Sequence, residues 1–127
     1  MKNRTRDINI ITKIMNYCEE IFATQKYFGS DYNIFKENFI YKNAISMSIL
    51  QIGELSGHLS EDFKDTHYKI PWRNIRGIRN FMAHEYGNLD TSLVWDTVLE
   101  DIPKLYKYCV ELTGMEREEI SDEWKPE

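Results

Sequence analysis

The sequence has few of the residues and motifs that mark common enzyme classes. Its 127 residues include only two cysteines, Cys18 and Cys109, with no Cys-x-x-Cys spacing and no histidine cluster beside them. A thiolate metal site is therefore not expected, and we interpret both as buried thiols in a reducing compartment. The chain also has no glycine-rich phosphate loop and nothing resembling a Ser-His-Asp set.

Long apolar runs are missing as well. No stretch approaches the roughly 20 apolar residues that a bilayer span needs, and residues 1–7 are polar, unlike a signal peptide. We therefore expect a cytoplasmic protein without membrane contact. The net charge of −5 argues against a general nucleic-acid coat protein, but it allows a small basic site on an acidic body.

The alternating pattern of β-strands is absent too, and apolar residues recur at helical spacing instead. A length of 127 residues with 42% hydrophobic content fits one domain with a single core. The sequence predicts an all-α bundle of four main helices and a short one over residues 1–112. Residues 113–127 are predicted to form a polar, loosely held tail.

Capping signals place the first helices. The spacing of apolar residues predicts a helix over residues 4–27 that Gly29 ends, and Asp31 should cap a short helix after it. A long helix over residues 39–59 is apolar on more than one side, which predicts a central position. Residues 60–71 indicate a polar connection.

The second half of the chain predicts two further helices. Pro71 should open the first, which ends near Gly87. Asp90 or Thr91 should cap the second. Because Pro103 lies inside the apolar pattern of that last helix, it should kink the helix or split it in two.

One stretch of this acidic chain is basic and contains no Asp or Glu. It runs from Thr66 to His84 and carries the cations Lys69, Arg73, Arg76 and Arg79. Cationic side chains bind phosphate through charge-assisted hydrogen bonds, so Lys69, Arg73 and Arg76 are candidate ligands of a nucleic-acid backbone.

Two residues of this segment point to close contacts. Gly77 lies mid-helix, where glycine costs about 1 kcal/mol relative to alanine, so it suggests close approach by another helix or by a substrate. A tolerant surface position is the alternative. Arg79 falls roughly 40° from the centre of the apolar stripe, so its charge should have a fixed partner. Glu54 is the candidate, and a purely structural Arg79–Glu54 pair is the alternative to a catalytic arginine.

His84 and Tyr86 supply chemistry that needs no metal. Histidine can take and return protons while Arg79 holds a phosphate, which suits cleavage of RNA by its own 2′-hydroxyl. His84 lies about 140° around the helix from Arg79, but a symmetric dimer would gather two copies of each. A structural or merely exposed His84 is the alternative. Tyr86 fits either a core aromatic or, beyond a frayed helix end, an accessible hydroxyl.

The remaining histidines and two of the tryptophans carry weaker signals. His58 and His67 have no carboxylate at metal-ligand spacing and are predicted to be surface residues. Trp72 and Trp95 are predicted to be core or interface anchors rather than platforms for base stacking.

Taken together, several segments resemble the HepT-like branch of the HEPN-domain proteins, the toxins of HEPN/MNT toxin–antitoxin pairs. The pattern Arg, four residues, His, one residue, Tyr falls on Arg79, His84 and Tyr86. The resemblance is also carried by residues 70–80, 83–86, 43–44, 51–54 and 101–103, with Asp90 and Trp95.

The resemblance implies a dimeric HEPN-type up-and-down bundle that acts as a metal-independent endoribonuclease without a cofactor. Arg79 and His84 would be catalytic and Asn80 would assist. The implied partner is an antitoxin of the minimal nucleotidyltransferase type, which would silence the toxin by transferring AMP from ATP to Tyr86. The alternative is a non-catalytic HEPN module that binds the nucleotidyltransferase or its nucleotide.

Overall fold

The computed structural model describes residues 2–77 and 91–114, and every regular element in those ranges is helical, which confirms the predicted all-α fold. In chain order the elements are α1 (Lys2–Phe28), α2 (Tyr32–Glu37), α3 (Phe39–Gly57), α4 (Glu61–Thr66), α5 (described over 72–77), α6 (Thr91–Asp96), a π-helical turn (Thr97–Asp101) and α7 (Ile102–Thr113). Across these ranges, no helix has the length and apolarity needed to cross a bilayer. The predicted helix end at Gly87, the cap Asp90 and the tail from residue 115 lie outside them.

Helix α1 packs against both α3 and α7 and runs antiparallel to each. At the α7 side, Tyr106 Oη donates to Glu19 Oε2 at 2.9 Å. Cys18 and Cys109 are both free thiols in the core. Their burial confirms the prediction of buried thiols, and it raises the pKa of Cys109 to about 12 and also raises that of Cys18.

The predicted caps are confirmed at the start of the chain. Gly29, which follows α1, has φ +103°, a conformation that glycine adopts without strain. The Asp31 carboxylate accepts the amides of Asn33 and Ile34 at 2.8 and 3.2 Å, which starts α2. Asn38 caps α3 in the same way.

The prediction of a polar connection over residues 60–71 is wrong in its first half, where α4 forms. Ser60 Oγ accepts a hydrogen bond from the amide of Phe63 at 3.2 Å. The carboxylates of Glu61 and Asp62 lie in the first turn, where they stabilise the helix by interacting with the positive end of its dipole. The buried Asp7 carboxylate accepts the Ser60 amide at 3.0 Å and the Ser60 hydroxyl at 2.7 Å. This joint ties the N-terminal part of α1 to the start of α4.

Pro103 interrupts the last helix as predicted, but the chain stays helical. The amide of Ile102 donates to the carbonyl of Thr97, a spacing one residue wider than in an α-helix. Pro103 then falls in the first turn of α7, where its missing amide hydrogen costs little.

Helix α3 is buried on one side only. Tyr41, Ile45 and Ile52 lie in the core. Phe39, Ile40 and Met47 are 70%, 56% and 55% exposed. The second apolar side that the sequence predicted therefore faces outward.

Candidate active site

A set of aromatic contacts fixes the start of α5, the helix that leads into the sequence motif. Trp72 Nε1 donates to the His67 carbonyl at 3.0 Å, and His67 Nδ1 lies 3.1 Å from Tyr108 Oη of α7. Phe63 packs against the same imidazole. Trp72 is an anchor as predicted, whereas His67 is a half-buried part of this joint and its prediction as a surface residue is wrong.

The motif residues Arg79, Asn80, His84 and Tyr86 lie outside the described residues. Their roles remain predictions. The structure describes the residues that precede them on α5 and the C-terminal half of α3.

Arg73 and Arg76 are exposed on α5, three residues apart and therefore on neighbouring positions of its surface. The guanidinium of Arg76 reaches α3 at Gly57, where an added Cβ would lie 3.2 Å from Arg76 Nη1. The glycine thus leaves room for the guanidinium. Gly57 was not predicted as a site residue, although Gly53 and Gly57, one turn apart on α3, are a signal of close approach.

Arg76 and Glu54 line one small cavity of about 100 Å³, together with Gly53, Gly57 and His58. Glu54 is half-buried and His58 is exposed, the latter as predicted. The predicted partner of Glu54 was Arg79, which lies outside the described residues. Among the described residues, Arg76 is the arginine that lines the Glu54 cavity.

Lys69 lies elsewhere. It borders an apolar cleft of about 140 Å³ between α3, the turn before α5 and α7, with Asp101 and Lys104 also at the cleft. Burial raises the pKa of Asp101, the neighbouring Glu100 raises it further, and Lys104 opposes both. The structure therefore places Lys69 and Arg76 at two different cavities.

Gly77 has open space around it, because an added Cβ would meet no atom within 4 Å. In the described part of the chain, no other helix makes the close approach that the sequence suggested. Approach by a substrate and a tolerant surface position therefore both remain open for Gly77. As for metals, residues 2–77 and 91–114 contain no group of three His, Cys, Asp or Glu placed to hold an ion.

These features define an all-helical bundle with an arginine-bearing helix beside a polar cavity. The family model described as Ribonuclease HepT-like matches residues 14–112, and the chain belongs to this HepT-like family of HEPN proteins.

Curated relatives agree with this assignment. The "Putative RNase TTE0752" of Caldanaerobacter subterraneus subsp. tengcongensis is 31% identical over 104 residues, which cover 82% of this chain and 91% of the relative. The "Putative RNase MJ1380" of Methanocaldococcus jannaschii is 36% identical over 77 residues, 61% of this chain and 71% of the relative. The "Probable ribonuclease HepT" of Thermococcus cleftensis is 36% identical over 73 residues, 54% of this chain and 66% of the relative. No solved structure matches the chain.

Proposed function

We propose that this protein is a metal-independent endoribonuclease and the toxin of a HEPN/MNT toxin–antitoxin pair. The observation that carries the proposal is the Arg79, His84 and Tyr86 spacing in a chain of the HepT-like ribonuclease family. The exposed Arg73 and Arg76, which precede the motif on α5, add support because they offer positive charge to a phosphate backbone.

In the proposed reaction His84 removes the proton of a ribose 2′-hydroxyl, whose oxygen attacks the adjacent phosphorus. The bond to the 5′-oxygen breaks, and that oxygen takes up a proton. The products are a 2′,3′-cyclic phosphate and a 5′-hydroxyl end. Arg79 stabilises the extra negative charge of the transition state, with Asn80 assisting. Because histidine titrates near neutral pH, cleavage should be fastest there.

The proposal is tested by RNA cleavage in excess EDTA with wild-type protein and His84→Ala, each shown by circular dichroism to be folded. Cleavage by the wild type alone, leaving 5′-hydroxyl ends, is the expected result. Loss of wild-type cleavage in EDTA with rescue by magnesium contradicts the metal-independent mechanism. Equal cleavage by both proteins removes His84 from the reaction.

The rival structural role of Arg79 has its own test. If Arg79 serves chiefly as the buried partner of Glu54, Arg79→Ala should unfold the protein. A catalytic Arg79 predicts a folded variant that has lost cleavage. Thermal unfolding and cleavage measured on the same preparation distinguish the two.

We further propose that the toxin is a homodimer that uses the exposed side of α3. Ile40, Met47 and Glu54 are spaced by seven residues, so each lies about 20° around the helix from the one before it and all three fall within about 40°. The exposed apolar residues therefore continue toward the Glu54 cavity, and a second chain bound there would lie beside the candidate site. Exposed apolar area of this kind is often an interaction surface.

The dimer proposal predicts that Met47→Glu dissociates the protein without unfolding it, because Met47 is already exposed in the single chain. Leu99→Glu is the matched control, since Leu99 is an exposed apolar residue of the π-helical turn and not of α3. Light scattering should give a monomer mass for the first variant and a dimer mass for the second. If the Met47→Glu protein is still a dimer, the exposed side of α3 is not the dimer interface.

The remaining part of the proposal concerns the antitoxin. The partner nucleotidyltransferase would transfer AMP from ATP to the Tyr86 hydroxyl, releasing pyrophosphate, and the added bulk and negative charge would oppose RNA binding. Intact mass after co-expression should show added AMP on wild type but not on Tyr86→Phe. If purified protein with an unmodified Tyr86 cleaves no RNA, a non-catalytic module that binds the nucleotidyltransferase becomes the better interpretation.

A further inference from the structure

A groove outside the sequence motif has the composition of a phosphate-binding surface. It has a volume of about 800 Å³ and lies between the first turns of α1 and the end of α3. Its described lining residues are Thr5, Arg6, Asn9, Ile10, Lys13, Leu55 and His58. None of them is acidic, in a chain whose net charge is −5. We call this surface the α1 groove.

Helix geometry places the α1 cations in line. Arg6, Asn9 and Lys13 are spaced by three and four residues, so they share one face of the helix. The seven residues from Arg6 to Lys13 span about 10 Å along the axis. All three side chains are exposed.

Among the described residues, Arg6 and Lys13 form no ion pair that would tie their charges to the fold. Within residues 5–77 and 91–114 the ion pairs are Lys36 with Glu37 and Lys64 with Glu61, and neither includes a residue of the α1 groove. The nearby Asp7 points away from it, since its carboxylate is buried and bonded to Ser60. Unpaired, exposed cations on one helix face favour an anionic ligand.

The α1 groove is continuous with the candidate active site. His58 lines both the groove and the small cavity that holds Arg76 and Glu54. The two cavities together contain Arg6, Lys13 and Arg76, against Glu54 as the single carboxylate among their described lining residues. A strand bound at α5 can therefore extend past His58 onto α1.

We infer that the α1 groove binds the RNA backbone on one side of the cleaved phosphate, with Arg6 and Lys13 as phosphate ligands and His58 at the junction. This inference rests on the proposed function, and it extends the RNA-binding surface from α5 to a second helix. The groove would add affinity for long RNA and take no part in the chemical step, so its loss should raise KM and leave kcat unchanged.

Binding is tested in the His84→Ala background, so that RNA is not cleaved, with a long single-stranded oligouridine. Arg6→Gln with Lys13→Gln should weaken binding about tenfold and lower the slope of log affinity against log salt by about 1.4, the value for two single-strand phosphate contacts. The matched control is Lys36→Gln with Lys107→Gln, which removes the same charge from exposed positions outside the groove. The RNA affinity of this control variant, and the slope of its log affinity against log salt, should stay near the values of the His84→Ala parent.

The two buried cysteines allow a second measurement. Asn9→Cys would supply an accessible thiol for a photo-cross-linker, because Cys18 and Cys109 are buried. RNA should cross-link from position 9 and not from the same label on Asn33→Cys, an exposed position on α2. Cross-linking from position 33 as strong as from position 9 would overturn the inference.

The inference is also overturned if both glutamine pairs weaken binding equally, or if no variant binds RNA. The proposed function has a separate criterion, which is cleavage by wild type against His84→Ala. A nuclease whose oligouridine affinity is unchanged by Arg6→Gln with Lys13→Gln would retain the proposed function and lose the α1 groove.

Discussion

Arg6 and Asp7 are neighbours in the sequence, yet they belong to two contrasting regions. Asp7 is 3% exposed and accepts two hydrogen bonds from Ser60, whose hydroxyl accepts the amide of Phe63. Arg6 faces the α1 groove with Lys13, and neither makes an ion pair with the described residues. Polar groups of the first region serve folding, whereas those of the second are available to a ligand.

The contrast follows from the cost of burial. A buried carboxylate is tolerated when hydrogen bonds replace its water, and Ser60 supplies them to Asp7. An exposed guanidinium keeps its water and contributes little to stability. Substitutions in the first region should therefore change the free energy of unfolding, and those in the second should change RNA binding.

The largest effect is expected at Asp7. Asp7→Ala leaves the partly buried Ser60 amide and hydroxyl without their acceptors and should lower the free energy of unfolding by on the order of 3 kcal/mol. Asp7→Asn should recover part of this loss, because its carboxamide oxygen can still accept the Ser60 amide. Urea unfolding monitored by circular dichroism measures both. Arg6→Gln is the control and should stay within about 0.5 kcal/mol of wild type. Equal destabilisation at positions 6 and 7 would abolish the contrast.

The next effect concerns Gly57, which separates α3 from the Arg76 guanidinium. Gly57→Leu should displace that guanidinium and weaken RNA binding about tenfold, equivalent to about 1.4 kcal/mol. Gly57→Ala is the matched control: its methyl group would meet the flexible end of Arg76 at 3.2 Å, which a small shift relieves. Filter binding with the His84→Ala protein compares the two. Wild-type affinity in Gly57→Leu, with weaker binding in Arg76→Gln, would show that Arg76 does not need this position.

Local sequence signals were sufficient where local contacts decide the structure. Gly29 and Asp31 were predicted as a helix end and a cap, since each acts within a few residues of itself. Helix α4 was missed although Ser60 and the two carboxylates after it are local capping signals, and the Asp7 that holds Ser60 is 53 positions away. His67 was misjudged for a similar reason, since its partner Tyr108 is 41 positions away.

The candidate site shows the same limit. Charge pattern and spacing identified Arg76 as a candidate phosphate ligand, and they identified Glu54 as the candidate partner of Arg79. That Arg76 fills the space left by Gly57 depends on how α5 crosses α3, which no periodicity specifies. The α1 groove could not be predicted from the sequence for a related reason. Arg6 and Lys13 have the pattern of ordinary surface cations, and only the packing of α1 against the end of α3 places His58 in the same groove.

Gly77 gives a smaller effect and separates stability from function at one position. Gly77→Ala should raise the free energy of unfolding by about 0.5 to 1 kcal/mol, because the helix gains propensity and the new methyl group meets no atom within 4 Å. RNA cleavage should fall in the same variant if substrate approaches there. Urea unfolding and the cleavage rate are measured together. A stabilised variant with wild-type cleavage would mark Gly77 as a tolerant surface position.

The smallest effect is expected at Asp101, a partly buried carboxylate that lacks the hydrogen bonds of Asp7. It makes no side-chain capping bond, and burial with the nearby Glu100 raises its pKa. A raised carboxyl pKa means that folding favours the protonated form, so this group stabilises the fold at low pH, and that stability is lost as the pH rises through the folded pKa. Asp101→Asn, which cannot ionise, should therefore raise the melting temperature slightly at pH 7 and leave it unchanged at a pH below the ordinary aspartate pKa. Thermal unfolding at the two pH values checks the sign. A lower melting temperature at pH 7 would mean that the attraction to Lys104 outweighs burial, and Asp101 would then resemble Asp7 as a stabilising carboxylate.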